Sequence, residues 1–117
     1  MKRDYKLFIK DILECINKIE NFVGEMSFDE FMRDEKTKSA VVRELEVMGE
    51  ATKNIPKSIR DKYKNLPWSQ IAKTRDKIIH FYFGVDYEVI WEVVKKRLPE
   101  IKAVIERIFK ELEKKNA

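Results

Sequence analysis

Apolar residues recur along this chain at intervals of three and four, separated by Lys, Glu, Asp and Arg. Tyr5, Phe8, Ile9, Ile12, Ile16, Ile19 and Val23 fall on one helical face, and Gly24 can close the run, which predicts a first helix over residues 4 to 23. Ser27 followed by Glu30 has the spacing of a capping box and predicts a short helix carrying Phe28 and Phe31. From Lys36 a longer helix presents Val41, Leu45, Met48, Ala51 and Ile55, and Pro56 ends it. Gly49 lies beside that face, where a glycine costs about 1 kcal/mol relative to alanine, so close approach of another helix or a ligand is expected there. Pro56 and Ser58 restart a brief helix through Tyr63, and Asn65-Leu66-Pro67 marks a turn. The next helix is predicted from Trp68 to Phe83, stopping at Gly84. Asp86 caps the last one, with a stripe of Ile90, Val94, Leu98, Ile101, Val104, Ile105, Ile108 and Leu112. Pro99 inside that stripe predicts a kink or a split near Leu98.

These elements specify an all-α fold, an antiparallel up-and-down bundle of about four long helices plus one or two short ones, in a single domain over residues 1–117. Composition agrees: 39% charged and 44% hydrophobic residues with 3 Gly and 3 Pro suit amphipathic helices and exclude a disordered chain. The 25 basic and 21 acidic residues leave a net charge of +4, which permits an RNA or acidic-protein partner without requiring one. Cys15 is the only cysteine and sits among apolar residues, so no disulfide framework and no cysteine metal site can be built from it. No signal-peptide pattern and no apolar run of membrane-spanning length occurs, and a soluble cytoplasmic protein without membrane contact is expected. Phe81, Phe83, Tyr87 and Trp91 lie beyond one stripe and offer surface that a second copy could cover, so a homodimer is expected.

Candidate chemistry concentrates in Lys73-Thr74-Arg75-Asp76-Lys77-Ile78-Ile79-His80-Phe81-Tyr82, which holds the only histidine. On a helical wheel Trp68, Ile71, Ala72, Ile78, Ile79, Tyr82 and Phe83 form an apolar stripe with Arg75 in its middle. A guanidinium cannot shed its proton and is costly to bury unpaired, so such an arginine calls for a partner or a task. Asp76 and His80 share one flank of the stripe. No Gly-rich phosphate loop and no nucleophile-elbow serine is present, and a lone histidine is a poor start for a metal site. What remains is general acid–base work by His80 beside an arginine able to hold a phosphate. That combination fits RNA cleavage with the ribose 2′-hydroxyl as internal nucleophile, needing neither metal nor cofactor. Such cleavage calls for both an acid and a base, which a two-fold dimer would supply as two histidines in one cleft.

Arg75-Asp76-Lys77-Ile78-Ile79-His80-Phe81-Tyr82 reads as R-x4-H-x-Y, and it resembles the motif of the HEPN superfamily, specifically its HepT toxin branch. The segments Arg43–Ala51, Pro67–Ala72 and Phe83–Trp91 are similar to that branch as well, so the resemblance covers nearly the whole chain. It implies a HEPN-like helical dimer acting as a metal-independent endoribonuclease toxin on tRNA or mRNA. An MntA-like nucleotidyltransferase antitoxin would neutralise it by AMPylation. Arg75 and His80 then match the catalytic pair, Asp76 the polar position after the arginine, and Tyr82 the tyrosine that accepts AMP.

Structural readings of the same residues stand beside this one. His80 near a helix C-terminus would favour the negative end of the dipole. Arg75 would pair with Glu46 or Glu50 on a neighbouring helix, and Tyr82 would be a core aromatic. The alternative function is a non-catalytic helical module that binds a nucleotidyltransferase or a nucleotide.

Overall fold

Ile9, Ile12, Ile16, Ile19 and Val23 repeat at helical intervals, and all of them are buried on one face of α1 (Tyr5–Val23). The computed structural model describes residues 4–79 and 86–115, with side chains described for residues 4–74 and 86–114. Asp4 opens α1 by accepting from the Lys6 N–H. Gly24 closes it at φ 51° and ψ −126°, a conformation only glycine adopts cheaply, with its N–H donating to the Glu20 carbonyl.

The expected capping box is formed. Ser27 Oγ accepts from the Glu30 N–H at 3.1 Å, and Glu30 Oε1 accepts from the Ser27 N–H at 3.1 Å, starting α2 (Phe28–Arg33). Asp34 then caps α3 (Glu35–Lys53) by accepting from the Thr37 N–H. This helix ends earlier than the sequence suggests. Asn54 caps it, its side-chain amide donating to the Glu50 carbonyl, so Ile55 is buried from the connection instead of from the helix. Residues ahead of a proline avoid helical conformation, and here Pro56 exerts that effect over a wider stretch than one residue. Pro56 becomes the N-cap of α4 (Lys57–Lys62).

Helix α5 follows as Trp68–Ile79. Its expected continuation to Phe83 and stop at Gly84 fall outside the described residues. Asp86 caps the next helix as expected, accepting from the N–H groups of Glu88 and Val89. That helix is continuous from Tyr87 to Lys115 but not uniform: α6 (Tyr87–Glu92) passes through a π-helical turn, Val93–Arg97, into α7 (Leu98–Lys115). Pro99 accounts for the irregularity. Its ring would strike the carbonyl four residues back, that of Lys95, and the wider π turn gives the ring room.

The core is one cluster in which α3 packs against α1 and α5, and α7 packs against α1. Four long and two short helices make an all-α, HEPN-like bundle, with no strand among the described residues. Cys15 sits in that core at 3% exposure, its thiol pushed up to about 12 by burial and by the neighbouring Glu44 carboxylate.

Two features depart from the sequence reading. Tyr87 and Trp91 are half-buried instead of open: both rings pack against Phe31, with centroids 6.2 and 5.0 Å away, and Trp91 also meets Phe28 at 5.9 Å, while Phe81 and Phe83 lie outside the described residues. Lys38, at 8% exposure, is buried beside them. Its ammonium donates to the Met32 carbonyl (3.1 Å) and Glu35 Oε1 (3.0 Å) and lies 4.6 Å from the centre of the Tyr87 ring, so all its charge is matched locally.

Candidate active site

The start of α5 is fixed by contacts that reach far along the chain. Trp68 is buried at 7% exposure, and its indole Nε1 donates to the Tyr63 carbonyl at 2.9 Å. The Tyr63 hydroxyl in turn donates to Glu111 on α7, which ties the turn before α5 to the C-terminal half of the last helix. Burial and that carboxylate push the Tyr63 phenol up to about 12. Ile71, one turn on, is also buried, and Thr74 Oγ donates back to the Gln70 carbonyl.

This anchored helix carries Arg75 and Asp76 in its second half. Arg75 follows Trp68 by seven residues and Ile71 by four, so its position is in register with the buried face, as the wheel indicates. The side chains of Arg75 and Asp76 lie outside the described residues, as do His80 and Tyr82 entirely. The Arg75 pairing with Glu46 or Glu50 therefore lies outside them too, although α3 and α5 do pack together. Glu46 is half-buried and Glu50 exposed.

Two grooves border this framework. One of about 330 Å³ runs between α1 and α3, where Asp11, Glu46 and Glu50 outnumber Arg43. The other, about 620 Å³, lies beside α5 and carries Lys64 and Arg97 against Glu100. Sequence reasoning did not single out Lys64 or Arg97. A signal was present in residues 57–64, where Lys57, Arg60, Lys62 and Lys64 face one acid, Asp61.

A family model described as "Ribonuclease HepT-like" matches residues 12–108, from the first turns of α1 through most of α7. The chain belongs to the HepT-like ribonuclease family. Among its relatives, "Putative RNase MJ0125" of Methanocaldococcus jannaschii is 51% identical over 97% of this chain and 98% of its own length. "Putative RNase MJ0127" of the same organism is 47% identical over 96% of this chain and 93% of its own. "Probable ribonuclease HepT" of Thermococcus cleftensis is 46% identical over 94% of this chain and its whole length. No solved structure matches the chain. The HepT-like match spans the Trp68–Tyr63 contact at the start of α5 as well as the motif, so these two belong to one family unit, while Glu111 lies just beyond it. None of its described helices is long and apolar enough to cross a membrane.

Proposed function

We propose that this chain is a metal-independent endoribonuclease, the toxin of a toxin–antitoxin pair, acting as one domain of residues 1–117 in a two-fold dimer. The observation that carries the reading is R-x4-H-x-Y beginning on α5 inside a HepT-like match to residues 12–108. Arg75 holds the scissile phosphate and neutralises charge as the phosphorus becomes five-coordinate. One His80 takes the proton of the ribose 2′-hydroxyl, whose oxygen bonds to phosphorus. The His80 of the second copy protonates the departing 5′-oxygen as its bond to phosphorus breaks. The products are a 2′,3′-cyclic phosphate and a free 5′-hydroxyl, with atoms and charge balanced and no cofactor used. Asp76 orients and charge-stabilises the imidazole. Tyr82 is the acceptor through which an MntA-like nucleotidyltransferase antitoxin, transferring AMP, silences the site.

The test is cleavage of total RNA and tRNA in EDTA by protein whose Tyr82 is unmodified by mass, beside His80→Ala. Cyclic-phosphate ends from the parent and none from the variant are expected. Cleavage that stops in EDTA overturns the metal-free mechanism. A parent that cuts nothing yet binds the nucleotidyltransferase replaces the enzyme with an interaction module.

A further inference from the structure

The groove beside α5 joins an apolar floor to a rim that carries two cations. Its floor is apolar, with Leu66, Ile71 and Ile101 each no more than 7% exposed. Its rim is polar: Lys64 and Asn65 on the turn before α5, Gln70 on α5, Arg97 on the π turn and Glu100 on α7. Its volume, about 620 Å³, is within the range that holds nucleotide-sized ligands.

Three observations bear on what fills it. Lys64 and Arg97 are exposed and make no ion pair with any described residue, in contrast to Lys10, Lys96 and Lys102, which each lie within 4.0 Å of a glutamate. The wall carrying Lys64 is tied to the start of α5 by the Trp68 indole bond to the Tyr63 carbonyl, so the cation sits next to an anchored edge. The opposite wall is the π turn, which brings both Val93 and Arg97 to the groove, and such turns recur at binding sites. Thr74, immediately before Arg75, lines the same groove, so it runs along the helix to the start of the motif.

We propose that this groove is an RNA-binding subsite that holds the single-stranded nucleotides next to the scissile phosphate. Lys64 and Arg97 take backbone phosphates, the aliphatic floor receives a base face, and Glu100 accepts from a base amino group or a ribose hydroxyl. Charge decides between the two grooves, because the α1–α3 groove presents Asp11, Glu46 and Glu50 to a polyanion and this one does not. Lys57, Arg60 and Lys62, just ahead of Lys64 in the chain, extend the basic stretch that leads to it. This subsite rests on the ribonuclease reading above and adds to it where the substrate lies.

Binding and cleavage are measured separately so that the two readings can fail separately. A fluorescent single-stranded RNA is titrated with the His80→Ala protein, with and without Lys64→Gln and Arg97→Gln together, across a salt series. The double change is expected to weaken binding on the order of 10-fold and to lower the salt slope by about 1.4, the loss of two phosphate contacts on a single strand. In the His80 background of the parent it raises KM by a similar factor and leaves kcat unchanged. Gln70→Glu, which adds a negative charge to the rim without touching the core, weakens binding as well. Lys10→Gln, on the far side of the fold, changes neither binding nor cleavage. Unchanged RNA affinity in the double variant overturns the subsite even if the parent cleaves. So does a double variant that keeps its RNA affinity but changes from dimer to monomer in sedimentation, because the groove is then a subunit contact. RNA binding that depends on Lys64 and Arg97 in a protein that cleaves nothing supports the subsite and removes the enzyme.

Discussion

Helices α1 and α5 are both amphipathic, but they use the bundle in opposite ways. The buried residues of α1, namely Ile9, Ile12, Cys15, Ile16, Ile19 and Val23, form an uninterrupted apolar seam, and its charges stay outside. The face of α5 begins like that, with Trp68 and Ile71 buried, and then places an arginine in register with them. A guanidinium there calls for a partner or a task, since burial without a partner costs several kcal/mol. The contrast teaches that α1 is to be judged by stability and, on the function proposed above, α5 by chemistry as well.

The sharpest break between them comes from paired substitutions. His80→Ala is expected to lower cleavage by roughly 10²- to 10⁴-fold, the usual worth of a general acid–base group, while the melting temperature stays close to that of the parent. A parallel loss of stability would return His80 to the packing class. Ile16→Ala, at a position with 0% exposure, should do the reverse. Chemical denaturation should show a loss of about 2–5 kcal/mol, with cleavage per folded molecule unchanged.

Smaller effects sharpen the picture at the joints that hold α5. Tyr63→Phe removes the hydroxyl that donates to Glu111 and should cost about 1 kcal/mol. The folded phenol titrates at about 12 against an ordinary 10.0, so its contribution is complete below pH 10 and disappears as pH rises toward 12. Alkaline denaturation of Tyr63→Phe should therefore be flatter over that window. At the acid end, the backbone N–H of Thr37 holds the Asp34 carboxyl below its ordinary 3.8. That stabilisation is present above the ordinary value and is lost as pH falls through the lower folded one. Asp34→Asn keeps an acceptor at the cap and should change neutral stability least of all, while removing this part of the acid dependence, which thermal melts from pH 5 to 2 would show.

How legible the fold was depended on how far apart the cooperating residues lie. Helix α1, the Ser27–Glu30 box and the Asp86 cap are each specified within a few residues, and the structure forms all three. Pro99 announced a disturbance near Leu98, but the relief falls in the turn before it, because the clash is with a carbonyl four residues back. The Tyr63–Glu111 bond joins residues 48 apart and leaves no periodic trace. Lys38 could have been found: it precedes Val41 by three residues on the same face, the logic that singled out Arg75. For the site itself, the sequence spacing sets Arg75 in register with Trp68 and Ile71, which the structure buries, while the Arg75 side chain lies outside the described residues; the groove with Lys64 and Arg97 exists only when the turn before α5 meets the π turn.

The buried thiol of Cys15 has a practical consequence. With one cysteine in the chain, at 3% exposure and with its proton held to about pH 12, alkylating reagents meet almost no thiolate while the bundle is closed. Modification by such a reagent therefore counts openings of the α1–α3 seam, one label per event. Its rate with and without RNA would report how strongly a bound strand, on the far side of α3, holds the whole bundle shut.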